Sequence, residues 1–193
     1  MYLTCTGTAA SEPLTTTEAK LHLRIDHVEE DTLVASLITA ARQWCEEYTR
    51  RVLMSSTWTQ TLEAFPDNGE PITLARSPVT TASIVVKYYD TAGAQQTCAA
   101  ATYRVIPRDP VRIELAPTKS WPSTYDVTDA VSIEFTAGYT QAVLIPAPIR
   151  QAILLLVGHW YVAREAVLTG TISKEIEFAV RALLDMYSLP EAH

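Results

Sequence analysis

The sequence contains few cysteines and few glycines. Its three cysteines, Cys5, Cys45 and Cys98, are an odd number at unrelated spacings, which argues against a disulfide framework and against a zinc site. We expect free thiols in a reducing compartment. The six glycines are spread singly, so the chain lacks the glycine-rich loop that cradles phosphates in nucleotide-binding proteins. These absences exclude disulfide-stapled and P-loop proteins.

Long apolar runs and an excess of basic residues are also absent. No uninterrupted apolar run approaches the ~20 residues that cross a bilayer, and no signal peptide is expected in the segment from Met1 to Glu12. The 15 Lys and Arg residues are outnumbered by 22 Asp and Glu residues, and the formal charge of -7 disfavours nonspecific nucleic-acid binding by the whole surface. Hydrophobic residues make up 48% of the chain, which excludes a disordered chain. Composition therefore predicts a soluble, acidic, globular protein with no membrane partner.

Residues 14–55 have a helical pattern. Thr15 and Glu18 have the spacing of a capping box, which predicts a short helix that ends near Asp26. A second helix is expected to begin at the acidic residues 29–31, because carboxylates favour the positive end of a helix dipole. Apolar residues then recur at steps of three and four, which predicts a buried stripe. The stripe comprises Leu33, Leu37, Ala41, Trp44 and Tyr48, and it is widened by Val34, Ile38, Cys45 and Val52. So broad an apolar surface predicts cover on more than one side, by other helices or by a neighbouring subunit.

Residues 56–139 have the pattern of a small antiparallel β unit. β-branched and aromatic residues predict strands at 57–62, 84–89, 103–106, 111–115 and 131–135. The turn sequences at 90–93 and 107–110 predict two hairpins. The stretch 116–126 contains two prolines and is expected to be an irregular loop.

The last part of the chain returns to a helical pattern. Pro146 and Pro148 suit the start of a nearly all-apolar helix over about 148–166, and Ser173 is the predicted cap of a final helix that ends before Pro190. The predicted fold class is therefore α+β. A discontinuous helical core of about four helices, residues 14–55 and 146–190, is interrupted by the β unit 56–139 between the second and third long helices. Residues 1–13 form an N-terminal extension.

The titratable residues give little support for catalysis. His22 and Asp26 stand four residues apart, and His27 and Glu30 stand three apart, but neither pair has the additional ligands that a zinc site needs. A metal-dependent enzyme that uses His22, Asp26 and His27 is the weakest alternative. We therefore predict a protein that is not an enzyme, with no catalytic, cofactor-binding or metal-binding residue and no cofactor.

One predicted hairpin carries a cluster of arginines. Arg104, Arg108 and Arg112 crowd around its turn, and they form a candidate channel-lining or phosphate-facing patch, since local fields depend on where charges lie. The alternative is that they are ordinary solvated strand ends next to Asp109 and Glu114.

Several segments resemble one family of tailed-bacteriophage proteins. These segments are LTTTEAKLHLRID at 14–26, the acidic pair at 30–31, AAR at 40–42, EEYTRR at 46–51, VKYYDTAG at 86–93, FTAGY at 135–139, QAILLLV at 151–157 and HWY at 159–161. In their order and spacing they resemble the head–tail connector (adaptor, head-completion) proteins, described as phage proteins of possible DNA-packaging role. The extension 1–13 and the loop 116–126 depart from the family pattern.

The resemblance implies a structural virion protein at the head–tail junction, assembled in the host bacterial cytoplasm. Such proteins form a ring on the portal vertex, expected here to be a dodecamer, which extends the DNA channel and provides the attachment surface for the stopper or tail protein. DNA would pass through without sequence-specific binding. The C-terminal helix and tail are the candidate portal-docking segment. Its candidate residues are Ile176, Val180, Leu183, Leu184, Tyr187 and Leu189.

The main alternative is a β-containing protein- or glycan-binding module of a phage tail or baseplate. Such a module would present an exposed aromatic platform in the β unit, and Trp121 and Tyr125 are the candidates for it.

Overall fold

The computed structural model describes residues 1–9, 11–163 and 174–190. The chain forms two compact units. Within the described residues, unit 1 contains Met1–Ala9, Ser55–Gly138 and residue 190, and unit 2 contains residues 11–54, 139–163 and 174–189. Unit 1 holds the strands and unit 2 holds the α-helices, so the predicted α+β class is confirmed. The first nine residues belong to unit 1, whereas the sequence had suggested only an extension.

The described residues of unit 2 form four α-helices. They are α1 (Thr16–Leu23), α2 (Asp31–Thr49), α3 (Ala147–Val162) and α4 (Lys174–Leu184). The predicted capping box is confirmed: the Glu18 N–H donates to the Thr15 hydroxyl at 3.1 Å, and the Thr15 N–H donates to the Glu18 carboxylate at 2.8 Å. These bonds satisfy N–H groups that have no partner inside the helix. Helix α1 ends at Leu23, before the predicted Asp26, because Arg24 adopts a left-handed backbone with φ 58°.

Helix α2 is buried most deeply along the side of the predicted stripe that Val34, Ile38 and Cys45 widen. Its deeply buried residues are Val34, Ile38, Ala41, Cys45 and Thr49. The residues of the predicted stripe other than Ala41 are only half-buried: Leu33, Leu37, Trp44 and Tyr48. Successive residues are about 100° apart around a helix axis. Two adjacent apolar stripes therefore do not determine which of them faces the core most directly.

Helix α3 is the central helix of unit 2, because it packs against α1, α2 and α4. Pro146 and Pro148 stand at its start, as predicted. Its buried residues lie around much of its circumference: Ile149, Ala152, Ile153, Leu156 and Val157. The end of the predicted helix, residues 164–166, and the predicted cap Ser173 lie outside the described residues.

Unit 1 contains two antiparallel sheets. The larger has the strand order β1-β2-β8-β4-β5 and the smaller has the order β3-β7-β6. The strands are β1 (Tyr2–Cys5), β2 (Ser56–Leu62), β3 (Ile72–Thr73), β4 (Val85–Tyr89), β5 (Gln95–Thr97), β6 (Tyr103–Ile106), β7 (Arg112–Leu115) and β8 (Val131–Ala137). Both predicted hairpins, β4–β5 and β6–β7, are confirmed. Strands β1 and β3 were not predicted.

A buried side-chain amide joins strand β2 of the larger sheet to the backbone of strand β3 and the residues after it. Gln60 on β2 is fully buried; its Nε2 donates to the Thr73 carbonyl at 3.0 Å, and its Oε1 accepts from the Ala75 N–H at 2.9 Å. A buried polar side chain is stable only when its donors and acceptors are paired, so Gln60 fixes β2 against the strand β3 region. In the described part of the chain, no helix has the length and apolar character needed to span a bilayer.

Candidate functional site

The arginine patch lies on the outward face of the β6–β7 hairpin. The register pairs Arg104 with Glu114 and Ile106 with Arg112, so Arg104 and Arg112 share a face, while Ile113 points to the core. Arg108 is exposed in the turn. The structure therefore brings all three candidate arginines to one exposed hairpin.

Acidic neighbours partly neutralise this patch. The Arg104 Nη2 lies 3.5 Å from the Glu114 carboxylate, an exposed pair that contributes at most about 1 kcal/mol. The Asp109 carboxylate accepts a hydrogen bond from the Ser77 hydroxyl at 2.5 Å. The hairpin is thus a local basic surface on an acidic chain.

The candidate docking residues of the C-terminal segment point inward. Val180, Leu184 and Leu189 are buried in unit 2. Ile176, Leu183 and Tyr187 are half-buried. Because burial removes Val180, Leu184 and Leu189 from the surface of the single chain, the most exposed face of α4 is the opposite one. Phe178, 75% exposed, lies on that face, and Met186, 74% exposed, follows it in the turn after α4.

Side-chain and backbone hydrogen bonds fasten the C-terminal segment to the end of α2. The Arg51 Nε donates to the Tyr187 carbonyl at 2.6 Å, and the Leu189 N–H donates to the Thr49 carbonyl at 3.0 Å. The Tyr48 hydroxyl donates to the Asp185 carboxylate at 2.5 Å, and this hydrogen bond raises the pKa of Tyr48. The segment up to residue 189 is therefore a fixed part of unit 2, and it presents its exposed side chains from a rigid base.

Two glutamates clamp Arg42 between α2 and the segment before α1. The Arg42 Nε lies 2.7 Å from the Glu12 carboxylate, and its Nη1 lies 2.6 Å from the Glu46 carboxylate. The Glu46 carboxylate also accepts from the Leu53 N–H at 2.8 Å. Burial raises the pKa of Glu46, while the Leu53 N–H and the Arg42 charge act against that rise. This cluster is structural, because it joins three segments of unit 2.

The candidate aromatic platform is not exposed at Trp121. Its ring stacks on Phe65 at 4.6 Å between centroids, and Tyr103 lies at 6.4 Å with a 25° angle between the planes. A cavity of about 410 Å³ lies between the segments 64–69 and 115–124 beside this cluster. Tyr125 is 49% exposed, and its N–H donates to the Tyr89 carbonyl at 2.9 Å. Trp121 is therefore packed against other aromatic rings of the fold. It does not form the exposed aromatic platform that would favour a glycan-binding module.

The candidate metal ligands have other neighbours. The His22 ring packs over Gly158, where an added Cβ would lie 3.6 Å from its Nε2. The His27 Nδ1 lies 3.2 Å from the Glu29 carboxylate. Among residues 1–9, 11–163 and 174–190, no three His, Cys, Asp or Glu side chains are grouped so as to hold a metal ion. Cys45 is buried, and burial raises the pKa of its thiol to about 12, which makes it unreactive.

The five-stranded sheet has two open edges that sequence reasoning missed. Strand β1 pairs only with β2, and β5 pairs only with β4, as far as the structure describes the chain. Every side chain of β5 and most of β1 are exposed. The run YLTCT at 2–6, uncharged and rich in β-forming residues, is the signal that predicts a strand at the N-terminus.

Comparisons with known proteins agree with the predicted resemblance. Residues 14–107, just under half of the chain, match the model of a family described as phage gp6-like head-tail connector proteins. No curated protein matches the chain.

Three solved structures contain similar chains, each 25% identical, with 100% of this chain and 98% of the other covered. They are the neck of an empty gene transfer agent (GTA) particle computed with C6 symmetry (TM-score 0.81), the virion of a native GTA particle (0.77) and the neck of a native GTA particle computed with C12 symmetry (0.76). The fold likeness thus extends over the whole chain. The predicted resemblance is confirmed: residues 14–107 are similar to the phage gp6-like head-tail connector family, and the whole chain is similar in fold to a chain in the neck of a GTA particle.

Proposed function

We propose that this chain is a structural subunit of a homo-oligomeric ring at the head–tail junction of a tailed-phage-like particle. The observation that carries the proposal is the likeness over 100% of the chain, with a TM-score of 0.81, to a chain in the neck of a GTA particle. Necks computed with C6 and with C12 symmetry support a ring of copies related by rotation. Family and fold both point to a structural rather than a catalytic protein.

In this proposal the ring docks on the portal vertex and extends the DNA channel. Its far side provides the attachment surface for a stopper or tail protein, and the ring assembles in the host bacterial cytoplasm before it becomes part of the virion. The net charge of -7 supports a channel through which DNA slides, because an acidic surface does not hold phosphates strongly.

Imaging tests the ring directly. Purified chain, alone and mixed with portal protein, is examined by negative-stain microscopy and by native mass spectrometry. Rings on the portal support the proposal, including when the free chain is monomeric. Persistent monomers in the presence of portal protein would contradict it.

The exposed face of the C-terminal segment is the proposed portal contact. Phe178 and Met186 are large apolar side chains that are about three-quarters exposed, and they project from a segment fixed to α2. Exposed apolar side chains on a rigid base are typical of interaction surfaces. The docking surface therefore lies opposite the buried Val180 and Leu184.

A charge substitution tests this contact. Phe178→Glu combined with Met186→Glu is expected to weaken co-sedimentation with portal rings at least tenfold, without lowering the thermal stability. Leu21→Glu is the matched control, because Leu21 is 81% exposed on α1. Equal portal binding by the wild type and both variants would place the contact elsewhere.

The arginine face of the β6–β7 hairpin is the proposed contact with passing DNA. Each arginine that neutralises a phosphate contributes about 0.9 to the steepness with which the logarithm of the DNA-binding constant falls with the logarithm of the salt concentration. Changing Arg104, Arg108 and Arg112 to Gln is therefore expected to reduce the slope for assembled rings by up to about 3. Arg181→Gln, on exposed α4, is the control. An unchanged slope in the triple variant would exclude these arginines from the channel.

A further inference from the structure

The five-stranded sheet of unit 1 ends on both sides in a short, uncharged strand. Strand β1 reads YLTC and strand β5 reads QQT, so neither contains Lys, Arg, Asp, Glu or Pro. Edge strands that must stay unpaired usually carry charges, prolines or bulges that block another strand. Neither edge strand carries such a charge or proline.

The two edges run in the same direction. Every pairing in this sheet is antiparallel, and β1 and β5 are four pairings apart, so their chains run parallel to each other. The registers also place five residues in one row across the sheet: Tyr2, Thr61, Ser132, Lys87 and Thr97. A small rotation about an axis along the strands preserves the strand direction. Such a rotation would bring β1 of one copy beside β5 of the next as a parallel strand, with Tyr2 level with Thr97.

Exposed apolar side chains lie near both edges of the sheet. Met1 is 56% exposed and Tyr2 is 67% exposed on the β1 side. Tyr89, 37% exposed, ends β4 and pairs with the first residue of β5, and Tyr125 is bonded to it through the backbone. With Val127, these are the exposed large apolar side chains in the described part of unit 1. Each edge of the sheet therefore has exposed apolar side chains near it.

We infer that neighbouring copies of this chain join edge to edge, with β1 of one copy pairing in parallel with β5 of the next. The partner is a second copy, because a closed ring needs two different surfaces on each subunit. The two edges run in the same direction, and neither carries a charge or a proline that would block pairing. The inference rests on the proposed function, since the ring supplies the neighbour at a fixed rotation. The sheets then form a continuous belt.

Such a junction is weak when only two copies meet. Strands of three and four residues provide few backbone hydrogen bonds, and parallel pairing is slightly less stable per residue than antiparallel pairing. A stable belt therefore requires many copies held together, as on a ring-shaped template. We therefore expect the free chain to be monomeric in the absence of such a template.

Paired cysteines test the junction. In a Cys5→Ser background, Thr97→Cys is combined with Tyr2→Cys or with Thr4→Cys, whose side chains lie on the same face of the sheet. The control combines Thr97→Cys with Leu3→Cys, which points to the other face. Rings assembled with portal protein are oxidised and separated by non-reducing electrophoresis. We expect a ladder of linked subunits from at least one same-face pair, and none from Leu3→Cys or from Thr97→Cys alone.

The outcomes separate this inference from the proposed function. Rings that are visible by microscopy but give no ladder from either same-face pair would overturn the edge-to-edge junction and leave the ring proposal intact. Absence of rings with portal protein would overturn both.

A single charge provides an independent test. Thr97→Lys places a cation on the outer edge of β5, where it should block pairing. We expect at least a tenfold fall in ring yield with an unchanged melting temperature. Thr81→Lys, at an exposed turn of the same unit, should assemble normally. Normal ring yield from Thr97→Lys would also overturn the inference.

Discussion

Removing Arg42 tests what stabilises the helical unit. Its guanidinium lies 2.7 Å from Glu12 and 2.6 Å from Glu46, and the three side chains are 15%, 32% and 19% exposed. Arg42→Met keeps most of the aliphatic volume and leaves two carboxylates without a cation. Glu46 is the more affected of the two, because it also accepts the Leu53 N–H and has little access to solvent.

The expected loss of stability follows from the burial of this cluster. Breaking a fully buried pair costs about 3–5 kcal/mol, whereas an exposed pair contributes at most about 1 kcal/mol. Side chains that are 15–32% exposed fall between these limits, so we expect about 2 kcal/mol at pH 7. In a chain of this size, that corresponds to a fall in melting temperature of about 4–8 °C.

The loss should depend on pH. Burial raises the pKa of Glu46 above its ordinary value of 4.5, and Arg42 opposes that rise. A carboxyl group whose pKa is raised by folding does not lower the folding stability below its unfolded pKa. The stability falls as the pH rises from the unfolded pKa to the folded pKa, and the full loss is present above the folded pKa. Without Arg42 the pKa rises further, so the variant should lose little stability near pH 4 and the full amount at pH 7.

Calorimetry at both pH values, with amide exchange across α2, measures the effect. Arg108→Met is the matched control, since Arg108 is exposed in a turn of unit 1. Equal losses at pH 4 and pH 7, or no loss at pH 7, would refute the view that Arg42 stabilises a buried carboxylate.

Three further substitutions have defined expectations. Thr15→Ala removes the cap that binds the Glu18 N–H and should cost about 1 kcal/mol in thermal unfolding; an unchanged melting temperature would contradict this. Phe135→Ala opens a cavity in the core of unit 1, where Phe135 is 1% exposed, and should cost about 3–5 kcal/mol in urea unfolding; a cost below about 1 kcal/mol would show that the site collapses. Arg51→Ala removes the donor to the Tyr187 carbonyl and should speed proteolysis near residues 185–189, whereas unchanged cleavage would mean that the other contacts suffice.

Features that depend on neighbouring residues were predictable from the sequence. The capping box needs only Thr15 and Glu18, and the β4–β5 hairpin needs only the turn at 90–93 between two strands. Strand β8 alternates buried and half-buried residues because it has one face on the core, and that alternation is visible in the sequence. Local chemistry determines each of these elements.

Features that depend on distant residues were not predictable. The sequence predicts the broad apolar stripe of α2, but packing on α3 determines which side of that stripe is buried most deeply. Strand β1 is held by β2, more than fifty positions along the chain, and its own four residues give only a weak signal. The sequence shows that Val180 and Leu184 are apolar, but it does not show whether an apolar residue of α4 packs in the core or contacts a partner. In the structure both residues are in the core.

The positions of the exposed apolar side chains indicate where the chain can contact other proteins. The breadth of the α2 stripe suggested a neighbouring subunit, yet Trp44 stacks on Tyr48, and Tyr48 is bonded to Asp185 of the same chain. Contacts within unit 2 therefore account for that part of the stripe. Exposed large apolar side chains lie elsewhere in both units. In unit 1 they are Met1, Tyr2, Tyr89, Tyr125 and Val127, and in unit 2 they are Leu21, Val28, Val143, Leu144, Val162, Phe178 and Met186. In the proposed ring, each subunit contacts both copies of itself and a different protein. Two separate exposed surfaces meet that requirement better than one broad helix face, because each can match its own partner.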